Sequence, residues 1–366
     1  MRYKAIYNPK RKISLFAKIS LAIFLLCLLL YIVSELSVSA ADFLNSTVCF
    51  QFRRVMAAFG DIFPFSLFEI FVMLIPLLIA LVVFLAVRSF KHGMGVRFTL
   101  NLFAVVLIIF SEYTLSLGIA YNTTPLGERM GLSDVEVTEE RLAVVMTSLR
   151  DEVNLLSQQI SYNDDGISQP DYSFSDVSEK ICASYENFSE EYGFPNTFVS
   201  HAKPIIFGNV MSYFRLTGIY TFYTGEANVN SAYPMYDMTF TAAHELSHQR
   251  GILRENEANF MAYMVNSTSD DVYLRYSAAL SMYEYIGSAL YRTNKEMYYE
   301  IASGLSEFAK GDIRASSAVT QRYGDTFLAD LSNFMNDLFL KSNGTDGVVT
   351  YGRVVELTVA YFETLK

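Results

Sequence analysis

The sequence predicts an α-helical membrane anchor of three transmembrane helices followed by a mostly helical α+β domain. Three observations carry that prediction. First, hydrophobic residues make up 52% of the 366 positions and charged residues only 18%, against about 25% in an ordinary soluble domain. The mean hydropathy is correspondingly positive, +0.24. Second, residues 1–120 carry a net charge of +6 and residues 121–366 a net charge of -16. One half therefore reads as embedded and the other as solvated. Third, three long apolar segments all fall in the basic half. The composition excludes a disordered chain, and the net charge of -10 excludes a basic nucleic-acid binder, so no nucleic-acid partner is expected. The three cysteines form no CxxC pair, which excludes a zinc ribbon or a thioredoxin-like site.

Transmembrane helices are expected near 13–34, 62–87 and 98–120. Ile19 to Ser34 carries no charge, Ile62 to Val87 only Glu69, and Phe98 to Tyr121 only Glu112. Each supplies the roughly 20 apolar residues that a bilayer crossing needs. Glu69 and Glu112 lie near the outer ends, either in a functional role or in reach of interfacial water. Basic residues cluster at the N-terminus (Arg2, Lys4, Lys10, Arg11, Lys12, Lys18) and in the second loop (Arg88, Lys91, Arg97). The positive-inside rule puts both in the cytoplasm and residues 121–366 outside. The first segment is too long for a cleaved signal peptide and is followed by further spans. In that compartment Cys49 and Cys182 read either as disulfide partners or as two unpaired thiols.

Residues 121–366 are enough for one large domain. Val135 to Ser161 reads as a long amphipathic helix, with Leu142, Val145, Met146, Leu149 and Val153 at helical spacing. Tyr162 to Asp176 reads as a loop and Phe174 to Tyr192 as a helix. Pro204 to Arg215 reads as irregular or as a short helix. Gly218 to Asn230 (GIYTFYTGEANVN) has β-branched and aromatic residues and little helical period, and predicts short strands around a turn near Thr224 and Gly225. Helices resume near Phe240, and SNGTD at 342–346 precedes a last helix near Val348 to Leu365.

One motif carries chemistry. His244-Glu245-Leu246-Ser247-His248 is HExxH. On a helix, residues four apart lie one above the other, so both imidazoles can share a metal ion. Glu245 is then placed as general base toward a water that the metal activates. Gly251 is a natural helix stop, three residues after the second histidine. Of the two other histidines, His92 belongs to the basic loop and His201 reads as structural. Catalytic zinc usually takes three protein ligands. Glu255 and Glu257 in RENEANFMAY are the candidates for the third. They point about 200° apart on a helix, so only one can face the metal. Glu255 shares a face with Ala258, Asn259 and Ala262, small or polar residues that permit close approach, and is favoured. Arg250 and Arg254 read as solvated or paired with Glu257.

At these residues the chain resembles zincin metallopeptidases with a glutamate third ligand. There the glutamate opens an ExxA motif followed by Asn or Asp, here Glu255-Asn256-Glu257-Ala258-Asn259. HQRG also resembles the turn of metzincins, but their third ligand would fall at Arg254, which cannot bind zinc. A wider resemblance covers almost the whole chain. The chain is similar to a family of uncharacterised bacterial three-pass membrane proteins with an HExxH domain. The stretches that carry it are PFSLFE at 64–69, GIAYNTTPLGERMGL at 118–132, SYFRLTGIYTFYTGEANVN at 212–230, AAHELSHQRGILRENEANFMAY at 242–263, RYSAAL at 275–280 and YGRVVEL at 351–357. The resemblance implies a zincin-like domain and a membrane-anchored zinc metallopeptidase. In zincins an edge strand lines the cleft, a role the GIYTFYTGEANVN segment is placed to fill. Glu226, Asn228 and Asn230 either contact substrate there or hold the hairpin.

The expected activity is peptide-bond hydrolysis with zinc held by His244, His248 and Glu255, Glu245 as base, and Tyr276, beside Arg275, as the candidate oxyanion donor. Expected partners are a peptide or protein substrate, the lipid bilayer and a membrane partner protein. Two rivals stand beside this reading. A non-catalytic sensor or binding protein of the envelope would need a partner subunit, because residues 1–18 and 88–97 are too short for a signalling domain. A structural envelope protein would keep the motif without using it.

Overall fold

The computed structural model describes residues 13–192, 194, 198–324, 326–345, 347 and 353–365. Arg2, Lys4, Lys10, Arg11 and Lys12, which the orientation argument uses, lie outside the described residues, as does part of the YGRVVEL stretch.

The apolar half folds as α1 (Leu15–Leu36), α2 (Val38–Leu44), a wide turn at Asn45–Cys49, α3 (Phe50–Asp61), α4 (Leu67–Lys91) and α5 (Gly95–Ser116). Helices α1, α4 and α5 have mean hydropathies of 2.6, 3.3 and 1.8 and are long and apolar enough to cross a membrane. Helix α4 begins five residues later than the apolar run. Ser66 caps it by accepting the Glu69 N–H, and its last turn takes in Arg88 and Lys91, which favour a helix C-terminus. Helices α1 and α4 both pack against α5.

The polar half begins with α6 (Leu126–Arg129) and α7 (Glu139–Leu156). Helix α7 is shorter than the predicted 135–161, because Thr138 caps it and the chain turns at Ser157. Its buried face, Leu142, Val145, Met146, Leu149 and Val153, is the predicted one. A small hairpin of β1 (Ser161–Tyr162) and β2 (Ser168–Gln169) interrupts the predicted loop, and α8 (Phe174–Tyr192) follows with the predicted bounds.

Next come β3 (Lys203–Ile205), α9 (Gly208–Tyr213), β4 (Gly218–Thr221) and β5 (Glu226–Asn230). The sheet order is β3-β5-β4, with β3 parallel and β4 antiparallel to β5. Strand β5 is central, and all five of its residues are buried. This settles the two readings of its polar residues in favour of the fold. Glu226 pairs with Lys203 at 2.7 Å, both buried, and also accepts the Leu67 and Phe68 N–H groups at 3.0 Å. Asn228 accepts the Ser66 hydroxyl at 2.6 Å, and Asn230 donates to Ser212 and the Leu216 carbonyl. The central strand thus caps the first turn of α4. Glu69, in the same first turn, accepts the Ile206 and Phe207 N–H groups and is likewise spent on structure.

The remainder is helical: α10 (Met235–Gln249), α11 (Glu255–Ser267), α12 (Val272–Thr293), α13 (Lys295–Ser303), α14 (Glu307–Tyr323), α15 (Phe327–Ser342) and α16 (Val354–Thr364). The core lies where α7, α10, α11 and α12 meet, around Met146, Leu149, Leu246, Phe260 and Met261. All three cysteines are free and buried, so Cys49 and Cys182 are unpaired thiols. His201 bonds Asp61 at 3.2 Å and ties β3 to α3.

Candidate metal centre

Helix α10 carries the motif because its flank is apolar and fully buried. Phe240, Ala242, Ala243 and Leu246 face the core, which leaves His244 and His248 stacked on the other side. The helix ends in a Schellman turn. Gly251 takes φ 89°, its N–H bonds the His248 carbonyl at 2.9 Å, and the Ile252 N–H bonds the Ser247 carbonyl at 3.1 Å. This turn has a chemical result. It swings the Ile252 carbonyl onto His248 Nδ1 at 2.8 Å. A donating Nδ1 leaves Nε2 as the atom that a metal ion would take.

The same turn delivers Glu255 to the histidines. Its Oε2 lies 3.3 Å from His244 Nε2 and 3.6 Å from His248 Nε2. The imidazole rings are 4.6 Å apart and nearly perpendicular. Three ligand atoms within 4.8 Å of one another form a group that could hold a metal ion. Two metal bonds of about 2.05 Å at the tetrahedral angle put donor atoms about 3.3 Å apart. The two glutamate–histidine separations match that spacing, and the three side chains form a group that could hold a metal ion. Burial alone would raise the Glu255 carboxyl, but the two imidazoles override it and hold the acid well below the usual carboxylate range. Burial alone would lower His248, but the Glu255 charge outweighs it and pushes the imidazole up to about 9.

Glu257 takes no part. It accepts the Leu126 N–H at 2.9 Å and pairs with Arg254 at 3.1 Å. Arg254 also holds the Tyr121 and Thr123 carbonyls. Arg250 is clamped between the Tyr185 and Phe198 rings at 4.3 and 4.9 Å. Asn259 shares the Glu255 face as predicted, and its Nδ2 is buried with no hydrogen-bond partner.

Glu245 is buried beside strand β4. A side chain at Gly218 would come within 2.5 Å of Glu245 Oε1, so only glycine lets the strand pass this close. Burial raises the Glu245 carboxyl, against the pull of both imidazoles. Strand β4 is an edge of the sheet and runs over the motif helix, with its backbone reaching Glu245 at Tyr220. Sequence reasoning placed the strands but not this contact, for which the only signal is a glycine opening a β-rich run.

Tyr276 does not come to the triad. It is fully buried, and its hydroxyl donates to Asp312 on α14 at 2.6 Å. Arg275 lies beside Glu152 instead, where burial raises the Glu152 carboxyl against the pull of the Arg275 charge. The tyrosines that feel the Glu255 charge are Tyr285 on α12 and Tyr121 just after α5, and burial raises both hydroxyls first. Neither lies within the motif region, and no helical spacing links them to it. A cavity of about 290 Å³ opens beside Arg250, lined by Asp42, Phe43, Arg129 and Tyr185, and the triad lies outside it.

Residues 45–359 match the model of a family described as Protein of unknown function (DUF3810). The chain belongs to that family. No curated protein and no solved structure matches the chain.

Proposed function

We propose that this DUF3810 family member is a membrane-anchored zinc metallopeptidase with a zincin-like domain. The observation that carries the reading is a buried carboxylate, Glu245, one residue from His244 in a His-His-Glu cluster whose donor atoms lie within 4.8 Å of one another. A purely structural metal site needs no such base. His244, His248 and Glu255 would hold the ion. When bound, zinc supplies a Lewis acid that lowers the pKa of a water and polarises a carbonyl. Glu245 takes the proton of the attacking water and passes it to the leaving amine. Its raised carboxyl suits both steps. Tyr285 on α12, rather than Tyr276, is taken as the oxyanion donor in this reading, because the Glu255 charge acts on its hydroxyl after burial and the Asp237 charge. The free edge of β4 would pair with an extended peptide substrate.

Arg88, Lys91 and Arg97 flank the turn between α4 and α5, which supports a cytoplasmic turn and an external polar half. A membrane partner protein remains part of the proposal. The test is zinc content of the purified full chain beside His244→Ala and Glu255→Ala, then peptide hydrolysis by wild type and Glu245→Gln. About one zinc per chain, lost in both ligand variants, with hydrolysis lost in Glu245→Gln while zinc is kept, supports the proposal. A well-folded wild type without zinc would overturn it.

A further inference from the structure

Helix α15 is amphipathic in the wrong sense for a soluble domain. Its buried residues, Ala329 and Leu340, form a narrow face that packs inward. At 100° per residue, Phe327, Leu331, Phe334 and Leu338 fall on one broad face roughly opposite. That face is exposed, from 42% at Leu331 to 78% at Phe327. The wider apolar face therefore points away from the protein. Helix α9 adds to it, with Ile206 just before it and Val210 within it exposed at 74% and 54%.

Both ends of this strip are fastened to the apolar helices. At one end, the Ile206 and Phe207 N–H groups bond Glu69 in the first turn of α4. The two helices join where Thr326 donates to the Tyr213 carbonyl at 2.7 Å. At the other end, Phe339 packs edge-on against Tyr113 and Tyr121, and Asn343 bonds the Tyr113 hydroxyl. Tyr113 lies in the last turn of α5. Helices α4 and α5 are joined by a tight turn, so the start of one and the end of the other lie on the same side of the membrane. The strip runs between those two points, level with the surface where the helices leave the lipid.

We propose that α9 and α15 lie in the outer leaflet of the bilayer, as an in-plane apolar rim around the outer ends of the spans. The inference rests on α1, α4 and α5 crossing the membrane. An apolar strip of this size on a soluble surface calls for a cover, and its two ends are fastened to helices long and apolar enough to lie in lipid. Amphipathic helices bury such a face about 5–10 Å into the headgroup and acyl boundary. The flank of α15 carries Asp330 and Asp337 against one Lys341, so the attraction is apolar rather than electrostatic. Zwitterionic phosphatidylcholine, with no net charge, is the expected occupant, with no requirement for anionic lipid.

The chain has no tryptophan, so one introduced tryptophan reports on one place. The experiment reconstitutes the full chain into phosphatidylcholine vesicles brominated near the headgroup end of the acyl chains. Three variants are compared: Phe334→Trp on α15, Phe103→Trp on the exposed side of α5, and Tyr299→Trp, exposed on α13, which packs on α7 and α12. The expected result is blue-shifted emission from Phe334→Trp, quenched several-fold more than Tyr299→Trp and comparably to Phe103→Trp. Quenching of Phe103→Trp with Phe334→Trp unquenched and red-shifted would overturn the inference and leave the spans standing. Blue-shifted but unquenched Phe334→Trp would overturn it in favour of a protein cover, a second copy included. No quenching of Phe103→Trp would overturn the spanning reading and this inference with it.

Discussion

The guanidinium of Arg53 occupies the space where a side chain on Gly251 would stand. A Cβ on Gly251 would come within 2.3 Å of Arg53 Nη2. Arg53 is fully buried and donates to Asn45 and to the Leu115 and Ser116 carbonyls, while Asn45 donates to the Gly251 carbonyl at 3.3 Å. The turn that ends the motif helix is thereby locked to the end of α5.

Gly251→Ala should therefore be damaging on two counts, the left-handed φ and the clash. Unfolding of the purified full chain should shift by about 2 kcal/mol or more. Zinc retention should fall as well, because the turn sets the Ile252 carbonyl on His248. Wild-type zinc affinity in a measurably destabilised Gly251→Ala would contradict the link between turn and ligand.

Tyr285→Phe should lower kcat by roughly 10²-fold with zinc content unchanged, the usual effect of losing one oxyanion donor. Tyr276→Phe should act on stability instead, since it removes the bond to Asp312. Parallel steady-state kinetics and thermal melts on the two variants would separate the roles.

Glu284 is held above its ordinary range, at about 8, mainly by burial and then by the Asp237 charge. A raised acid is protonated in the folded chain while the unfolded chain has already ionised. Its stabilising effect is complete below the ordinary value of 4.5 and is lost as pH rises toward 8. Between those limits stability should fall by on the order of 4–5 kcal/mol, and Glu284→Gln should flatten the slope. Denaturant midpoints measured across that window check the sign.

Lys203→Met should cost about 3–5 kcal/mol, because it strands the buried Glu226 charge. Adding Glu226→Gln should restore part of the loss but not the carboxylate cap on the Leu67 and Phe68 N–H groups. A double-mutant cycle read by thermal unfolding gives the coupling.

The parts legible in the sequence were those set by local spacing. The i, i+4 histidines, the Gly251 stop, the Glu255 face and the bounds of α8 follow from helical geometry alone. The three apolar helices follow from length and hydropathy. What escaped depends on contacts between distant segments. Strand β3 is three residues long, too short for a period to show. Strand β5 reads as polar and is buried, because Lys203, Ser66 and Ser212 satisfy its polar groups. Tyr276 follows the ligand helix in sequence, and Asp312, 36 residues on, takes its hydroxyl instead.

The lock between Arg53 and Gly251 also sets how the polar half can move. A catalytic head on a slack tether sweeps a hemisphere and meets whatever drifts into it. Here the motif turn, the hairpin turn at Gly225 against Met56, and the β5 cap on α4 bolt the head to its base at three points. The triad then keeps one altitude over the foot of the helices, as the jaw of a bench vice keeps one height over the bench. If the polar half is the peptidase proposed above, its selection is a matter of distance before it is a matter of side chains.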